Sequence, residues 1–192
     1  HNPEDEKQFV EEGYGKERTT FMYNDFVVLG PAADPARIKG EKKVADAFAK
    51  ISSSGSLFIS RGDKSGTHKK ELKLWDLAGI KPAGEKYIEA GQGMAAVVGM
   101  ANEKEAYCLA DRSTFLSLKK NLGLRILSEG DEALLNRYSL ILVNMEKFPK
   151  VNAEGARVFF DYLLSKQAKK IIVKYGVEKY GKPLFAYDYK AK

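Results

Sequence analysis

Leu57-Phe58-Ile59-Ser60-Arg61-Gly62-Asp63-Lys64-Ser65-Gly66-Thr67-His68 is the stretch that decides the fold. Leu57-Phe58-Ile59 is a compact apolar strand, and a helical pattern begins near Thr67. The residues from Arg61 to Thr67 hold two glycines, a serine, a threonine and one arginine. Gly62 and Gly66 let the backbone turn sharply and bring N–H groups close to a ligand. Ser65 and Thr67 stand at a helix start, where unpaired N–H groups and the positive end of the dipole favour an anion. Arg61 adds a planar fork of donors suited to an oxyanion. With Thr67 taken as the N-cap, the capping-box position falls on Lys70 rather than on an acid, so the helix start is electropositive. An ordinary capped helix uses the same residue types, and the loop alone leaves both readings open. Arg61-Gly62-Asp63 matches an adhesion tripeptide over only three residues, and no Gly-Lys-Ser/Thr at P-loop spacing follows.

Outward from the loop, strands alternate with helices. Phe26-Val27-Val28-Leu29 is a strand closed by Gly30-Pro31. Val44, Ala47, Phe48 and Ile51 share one helical face, and Leu72, Trp75 and Ala78 line the helix after the loop. Tyr87-Ile88-Glu89 is extended, and Gly91-Gln92-Gly93 opens a helix with the face Met94, Val97, Val98 and Ala101. Ala106 to Ala110 and Leu124 to Leu127 are strands, with a helix starting at Asp111 between them. Tyr138 to Val143 is a nearly continuous apolar strand, expected to be buried on both faces. The tail is helical, with Ala156, Phe159, Phe160, Leu163 and Leu164 as a core stripe and Ile171, Ile172 and Tyr175 continuing it. This order predicts α/β layers around largely parallel strands.

Composition narrows the function classes. Of 192 residues, 44% are hydrophobic, and ten Phe and ten Tyr argue for a packed core rather than disorder. The net charge of +6 is spread along the chain. The pairs Lys42-Lys43, Lys69-Lys70, Lys119-Lys120 and Lys169-Lys170 read as solvated helix faces, and none is long enough for a nucleic-acid or membrane arm. Cys108, the single cysteine, reads as a buried small hydrophobe. No segment has the apolar length of a membrane-spanning helix or the form of a signal peptide; a leader would be absent from a mature secreted chain in any case. His1 and His68 are too few and too far apart for a metal site, and no cofactor is expected. Glu129, Asp131 and Glu132 read as a solvated acidic face. No Ser/His/Asp set or carboxylate pair points to an enzyme.

Phe21-Met22-Tyr23-Asn24-Asp25-Phe26-Val27-Val28-Leu29-Gly30-Pro31, Phe58 to His68, Glu89-Ala90-Gly91-Gln92-Gly93-Met94 and Leu109-Ala110-Asp111-Arg112-Ser113-Thr114-Phe115 occur in this order. Together they resemble the substrate-binding component of tungstate ABC transporters, over nearly all of the chain. The resemblance implies an α/β, two-lobed periplasmic-binding-protein fold (type II) that closes on a tetrahedral oxyanion. It also implies an extracytoplasmic location, a membrane permease as partner, and no nucleic acid. Arg61 and Thr67 are implied as ligand contacts, with Ser65 and Gly66 as hydroxyl or backbone donors. Gln92 and Ser113 are secondary candidates, beside the simpler readings of a plain helix start and of capping by Asp111. Residues 31–138 are expected to form the second lobe, and 1–30 with 139–192 the remaining part of the first, with hinges near 28–31 and 138–142. Members of the family carry a Thr/Ser-rich anion-binding turn after their first strand. This chain begins beyond it, at a charged helical stretch Glu4 to Glu12. The first lobe is therefore expected to be incomplete, and oxyanion binding by this chain alone to be weak. Alternatives are molybdate, sulfate or phosphate as ligand, or the ligand-sensing domain of a transcriptional regulator.

Overall fold

The computed structural model describes residues 2–190. Helix α1, Pro3–Glu11, starts on Asn2, whose side chain accepts from the Glu4 N–H. Proline in the first turn and the acids Glu4, Asp5 and Glu6 suit a helix N-terminus. Strand β1, Gly15–Gly30, then runs for 16 residues, far beyond the four-residue core that its apolar run marks. Internal contacts divide the chain into two compact units. One is Asp25–Leu135; the other combines the segments up to Asn24 and from Asn136 onward. The chain passes between them inside β1 and again at the start of β6, Leu135–Val143.

The Asp25–Leu135 unit contains α2 (Val44–Ser53), β2 (Phe58–Ser60), α3 (Gly66–Leu77), β3 (Tyr87–Glu89), α4 (Met94–Glu103), β4 (Cys108–Asp111), α5 (Arg112–Leu118) and β5 (Arg125–Ser128). β2 pairs with β3 in parallel, and a parallel bridge from Phe58 to Tyr107 ties β2 to the start of β4. The C-terminal half of β1 lies antiparallel to both β4 and β5. The lateral order is thus β3-β2-β4-β1-β5. The sheet is mixed rather than largely parallel, because β1 enters against the direction of the α/β strands on either side.

Alternation along the strands sorts the core into two faces. Phe26, Val28, Phe58, Tyr107 and Leu109 point to one side, where α2 and α3 cover them with Phe48, Ile51, Leu74 and Trp75. Val27, Leu29, Ile59, Cys108 and Ala110 point to the other, under Val97, Val98 and Ala101 of α4 and Phe115 of α5. The result is a three-layer α/β/α unit with helices on both faces. Cys108 is fully buried, a small apolar side chain in this core. The face of α3 differs from the expected one. Leu72 is exposed, and the buried positions are Thr67, His68, Glu71, Leu74 and Trp75. Trp75 and Ala78 of the expected face pack on the core, while Leu74 and polar residues take the rest of the inner stripe in place of Leu72. Lys70 is also more than a solvated charge: its Nζ donates to the carbonyls of Ala133 (3.0 Å) and Leu135 (3.1 Å).

In the other unit, the N-terminal half of β1 pairs with β6 and with β7, Ala186–Tyr187. The Asn136 amide donates to Asn24 Oδ1 at 2.8 Å. Helices α6 (Ala153–Leu163), α7 (Lys166–Ile172) and α8 (Val177–Tyr180) complete it. Burial here is thinner. β6 is half-buried along most of its length rather than covered on both faces. Phe160 is buried, whereas Phe159 is 61% exposed, and Ile171 and Tyr175 are exposed too. α6 is apolar over more than one face, so its sequence does not say which stripe packs. Among the described residues no helix is long and apolar enough to cross a membrane.

Candidate functional site

Parallel pairing of β2 with β3, and of β2 with the start of β4, brings the C-terminal ends of three strands to one sheet edge. The segments that leave this edge carry Arg61–Ser65, Gly91–Gly93 and, in the first turn of α5, Arg112 and Ser113. In open α/β sheets this edge is where ligands bind.

The first loop is tightly organised. Ser60 Oγ accepts from the Gly62 N–H at 3.3 Å, and its carbonyl accepts from the Ala90 N–H at 2.9 Å. Gly62 has φ +59, and a Cβ there would lie 2.6 Å from Glu89 Cβ. Only glycine meets both conditions. Arg61 donates through Nε (3.1 Å) and Nη2 (2.5 Å) to Asp63 Oδ2. Asp63 Oδ1 accepts from the Ser65 N–H at 3.1 Å. Burial pushes the Asp63 carboxyl up, but hydrogen bonds from Ser65 and Arg61 outweigh it and hold the group down at about 2. An ionised carboxylate therefore fills the Arg61 fork.

Helix α3 begins at Gly66, and its N-cap is Ser65 rather than Thr67; Ser65 Oγ accepts from the His68 N–H at 3.3 Å. The first turn holds no acidic residue, so the electropositive start persists with the cap moved by two positions. His68 is buried and accepts from the Lys64 N–H through Nδ1 at 3.0 Å. That bond leaves the ring hydrogen of a neutral imidazole on Nε2. Nε2 is buried without a hydrogen-bond partner, 3.6 Å from Glu89 Oε1.

Directly behind the loop lies Glu71, only 2% exposed. Its Oε1 accepts from the Tyr87 hydroxyl at 2.8 Å and from Trp75 Nε1 at 3.2 Å. Burial pushes the Glu71 carboxyl up to about 7, against the opposing pull of the Tyr87, Ser60 and Trp75 side chains and of the Arg61 backbone.

Arg61, Ser65, Gly66 and Thr67 thus form one continuous turn and helix start. Gln92 lies on the neighbouring loop of the same edge, exposed, just before the Gly93 cap of α4. Ser113 stands at the third strand end, where its hydroxyl donates to Asp111 Oδ1. Asp111 also accepts from the Thr114 N–H (2.9 Å) and hydroxyl (2.6 Å), so Ser113 belongs to a capping cluster in this structure. Arg112 pairs with Asp25 and Glu129 inside the unit, which makes Glu129 an ion-pair partner rather than a free acidic face. His1 lies outside the described residues, and among those described no group of three His, Cys, Asp or Glu side chains is placed to hold a metal. Reading by residue type passed over Asp63, His68 and Glu71. The available signal was Glu71 at i−3 and i−4 from Leu74 and Trp75, a carboxylate on an apolar stripe.

A mixed sheet with helices on both faces, carrying a donor-rich turn at its C-terminal edge, is an α/β unit of the periplasmic-binding-protein class of folds. A sequence model described as a PBP superfamily domain matches residues 1–167. The tungstate-binding protein TupA of Peptoclostridium acidaminophilum is 50% identical over 187 residues, which cover 96% of this chain and 65% of that protein. TupA of Campylobacter jejuni is 36% identical over 197 residues, covering all of this chain and 72% of that protein. The solved structure of TupA from Desulfovibrio alaskensis G20 superposes with a TM-score of 0.86 at 42% identity, over 99% of this chain and 77% of that one. The chain belongs to the PBP superfamily and, within it, to the family of the TupA tungstate-binding proteins. It spans less than two thirds of the length of the Peptoclostridium relative.

Proposed function

We propose that this protein captures tungstate outside the cytoplasm and delivers it to the permease of an ABC transporter. One observation carries the reading: in a chain of this family, an arginine, a capping serine and an acid-free helix start converge at the C-terminal edge of the sheet. In this reading the Arg61 guanidinium gives up Asp63 Oδ2 for an oxygen of the anion. The Ser65 hydroxyl and the N–H groups of Gly66 and Thr67, which have no partner inside the helix, donate to the remaining oxygens. Gln92 on the neighbouring loop and Ser113 in the first turn of α5 are further polar groups within the same edge. A dianion held by neutral donors and one guanidinium keeps much of its charge compensated by dipoles, which suits capture and release better than turnover.

Thermal unfolding in the presence of tungstate, molybdate, sulfate, phosphate, an organic acid and a nucleotide tests this. Tungstate is expected to raise the melting temperature most, and Arg61→Ala to weaken its calorimetric affinity at least about tenfold, as loss of a charge-assisted bidentate contact does. Stabilisation by the organic acid or the nucleotide alone, or an unchanged tungstate affinity in Arg61→Ala, would overturn it. Preferential stabilisation by sulfate or phosphate would keep the oxyanion site and replace the ligand.

A further inference from the structure

Among the described residues, His68 Nε2 and Arg157 Nε are the buried side-chain polar atoms without a hydrogen-bond partner. The first of these lies at the loop, and capture by Arg61 and the helix start assigns no part to its ring. An imidazole that only filled space would bury two nitrogens where an apolar side chain buries none, and burying a polar group costs free energy unless it is bonded. His68 is 6% exposed, and the bond it does make is to the loop: Nδ1 accepts from the Lys64 N–H at 3.0 Å. Gly62 and Lys64 both lie in the left-handed region, each at φ +59. Glycine adopts that conformation freely, whereas a lysine is strained there. The ring therefore holds the one strained side-chain-bearing residue of the turn against the helix that follows it. On the other side, the His68 N–H donates to Ser65 Oγ at 3.3 Å. One residue thus fixes both Lys64, through its ring, and the capping hydroxyl, through its backbone.

We propose that His68 is a positioning residue of the oxyanion loop: its Nδ1 acts as an acceptor that holds Lys64, and so sets Arg61 and Ser65 in the arrangement that receives the anion. The inference rests on the oxyanion reading of the site. An imidazolium here would bring positive charge towards the anion, but it would have no lone pair for the Lys64 N–H. The observed bond fits the acceptor role. Glu89 supports it from the end of β3. Its Oε1 lies 3.6 Å from Nε2, which favours the ring proton on that nitrogen and leaves Nδ1 free to accept. The same residue walls the loop at Gly62, where a Cβ would come within 2.6 Å of Glu89 Cβ. Glu89 therefore backs both left-handed positions, one directly and one through the ring.

Asparagine and glutamine separate the two ring nitrogens. Asparagine carries its amide oxygen on Cγ, at the place of Nδ1, while glutamine carries its own near the place of Nε2. His68→Gln is expected to bind tungstate about tenfold more weakly than the wild type in calorimetry, and His68→Asn to stay within about threefold of it. Asparagine fills less of the ring's space, so a role in packing alone predicts the opposite order. NMR of the wild type with labelled histidine nitrogens supplies a readout that does not depend on either variant folding. We expect the ring proton on Nε2, a scalar coupling from the Lys64 amide nitrogen to Nδ1 across the hydrogen bond, and exchange of the Lys64 amide hydrogen slowed at least about tenfold by saturating tungstate. Three results would overturn the proposal: an affinity of His68→Gln equal to or above that of His68→Asn, a ring proton on Nδ1, or Lys64 exchange that tungstate leaves unchanged although calorimetry shows binding. Each of these leaves the oxyanion reading standing. Absence of tungstate binding to the wild type removes both.

Discussion

Two carboxylates beside one arginine are driven in opposite directions. Asp63 is held well below its ordinary range by Ser65 and Arg61, while burial lifts Glu71 to about 7. The raised group has a sign that can be worked out. Below pH 4.5 Glu71 is protonated folded and unfolded, and burial costs little. Between 4.5 and about 7 the unfolded chain releases its proton and the folded chain keeps it, so stability falls as pH rises, and above that window it levels off. The loss amounts to about 3 kcal/mol across the window. Chemical denaturation at pH 5 and pH 8 is expected to show that drop in the wild type over and above Glu71→Gln; equal pH dependence in the two proteins would contradict it. The loop itself was legible from residue type, because glycines, a hydroxyl cap and an arginine have local reasons to occur together. Asp63, His68 and Glu71 were not legible as partners. His68 and Glu71 depend on Glu89 and Tyr87, which arrive through the sheet rather than through sequence spacing, whereas Asp63 bonds to Arg61 and Ser65 within the loop itself.

Among the elements, α3 carries the most consequence. Its start is capped by one hydroxyl and has no acid in the first turn, so the cap is the main local support. Ser65→Ala is expected to cost about 1 kcal/mol of stability, measured by urea denaturation, and Ser65→Asp to recover it while repelling an oxyanion at the same spot. A Ser65→Asp variant that regains stability and also keeps wild-type tungstate affinity would remove Ser65 from the contact set. Periodicity identified α2, α3 and α4 as helices because each buries an apolar stripe. It placed Trp75 and Ala78 of α3 and Phe160 of α6 on the packed side, but also Leu72 and Phe159, which are exposed, and it missed His68 and Glu71 on the inner face of α3. The antiparallel entry of β1 was also hidden, since strand direction is a property of connections that pass through the other unit.

At the scale of the molecule, packing is uneven. Both hydrophobic clusters lie entirely within Asp25–Leu135. The other unit buries Phe21, Phe160 and Ala168 but exposes Val158, Phe159, Tyr162, Ile171 and Tyr175. Its share of buried apolar surface is smaller, and so is the free energy that resists opening. Hydrogen exchange is expected to protect amides of β2, β4 and α4 longest, with α6 to α8 exchanging at least about tenfold sooner. Uniform protection across the chain would show a cooperativity that these cores do not predict. The family resemblance reached the α/β class through four ordered motifs, three of which lie wholly inside the better-packed unit and the fourth of which crosses into it along β1.

Cys108 gives that unevenness a practical handle. Fully enclosed between β4 neighbours and α4, with its thiol pushed away from ionisation by burial, it is chemically silent in the native protein. As the sole thiol of the chain, it makes alkylation a stopwatch for a single event, the opening of the Asp25–Leu135 core. Fraying of the less buried helices leaves that stopwatch at zero. Any anion that tightens the loop at the head of α3 should slow it.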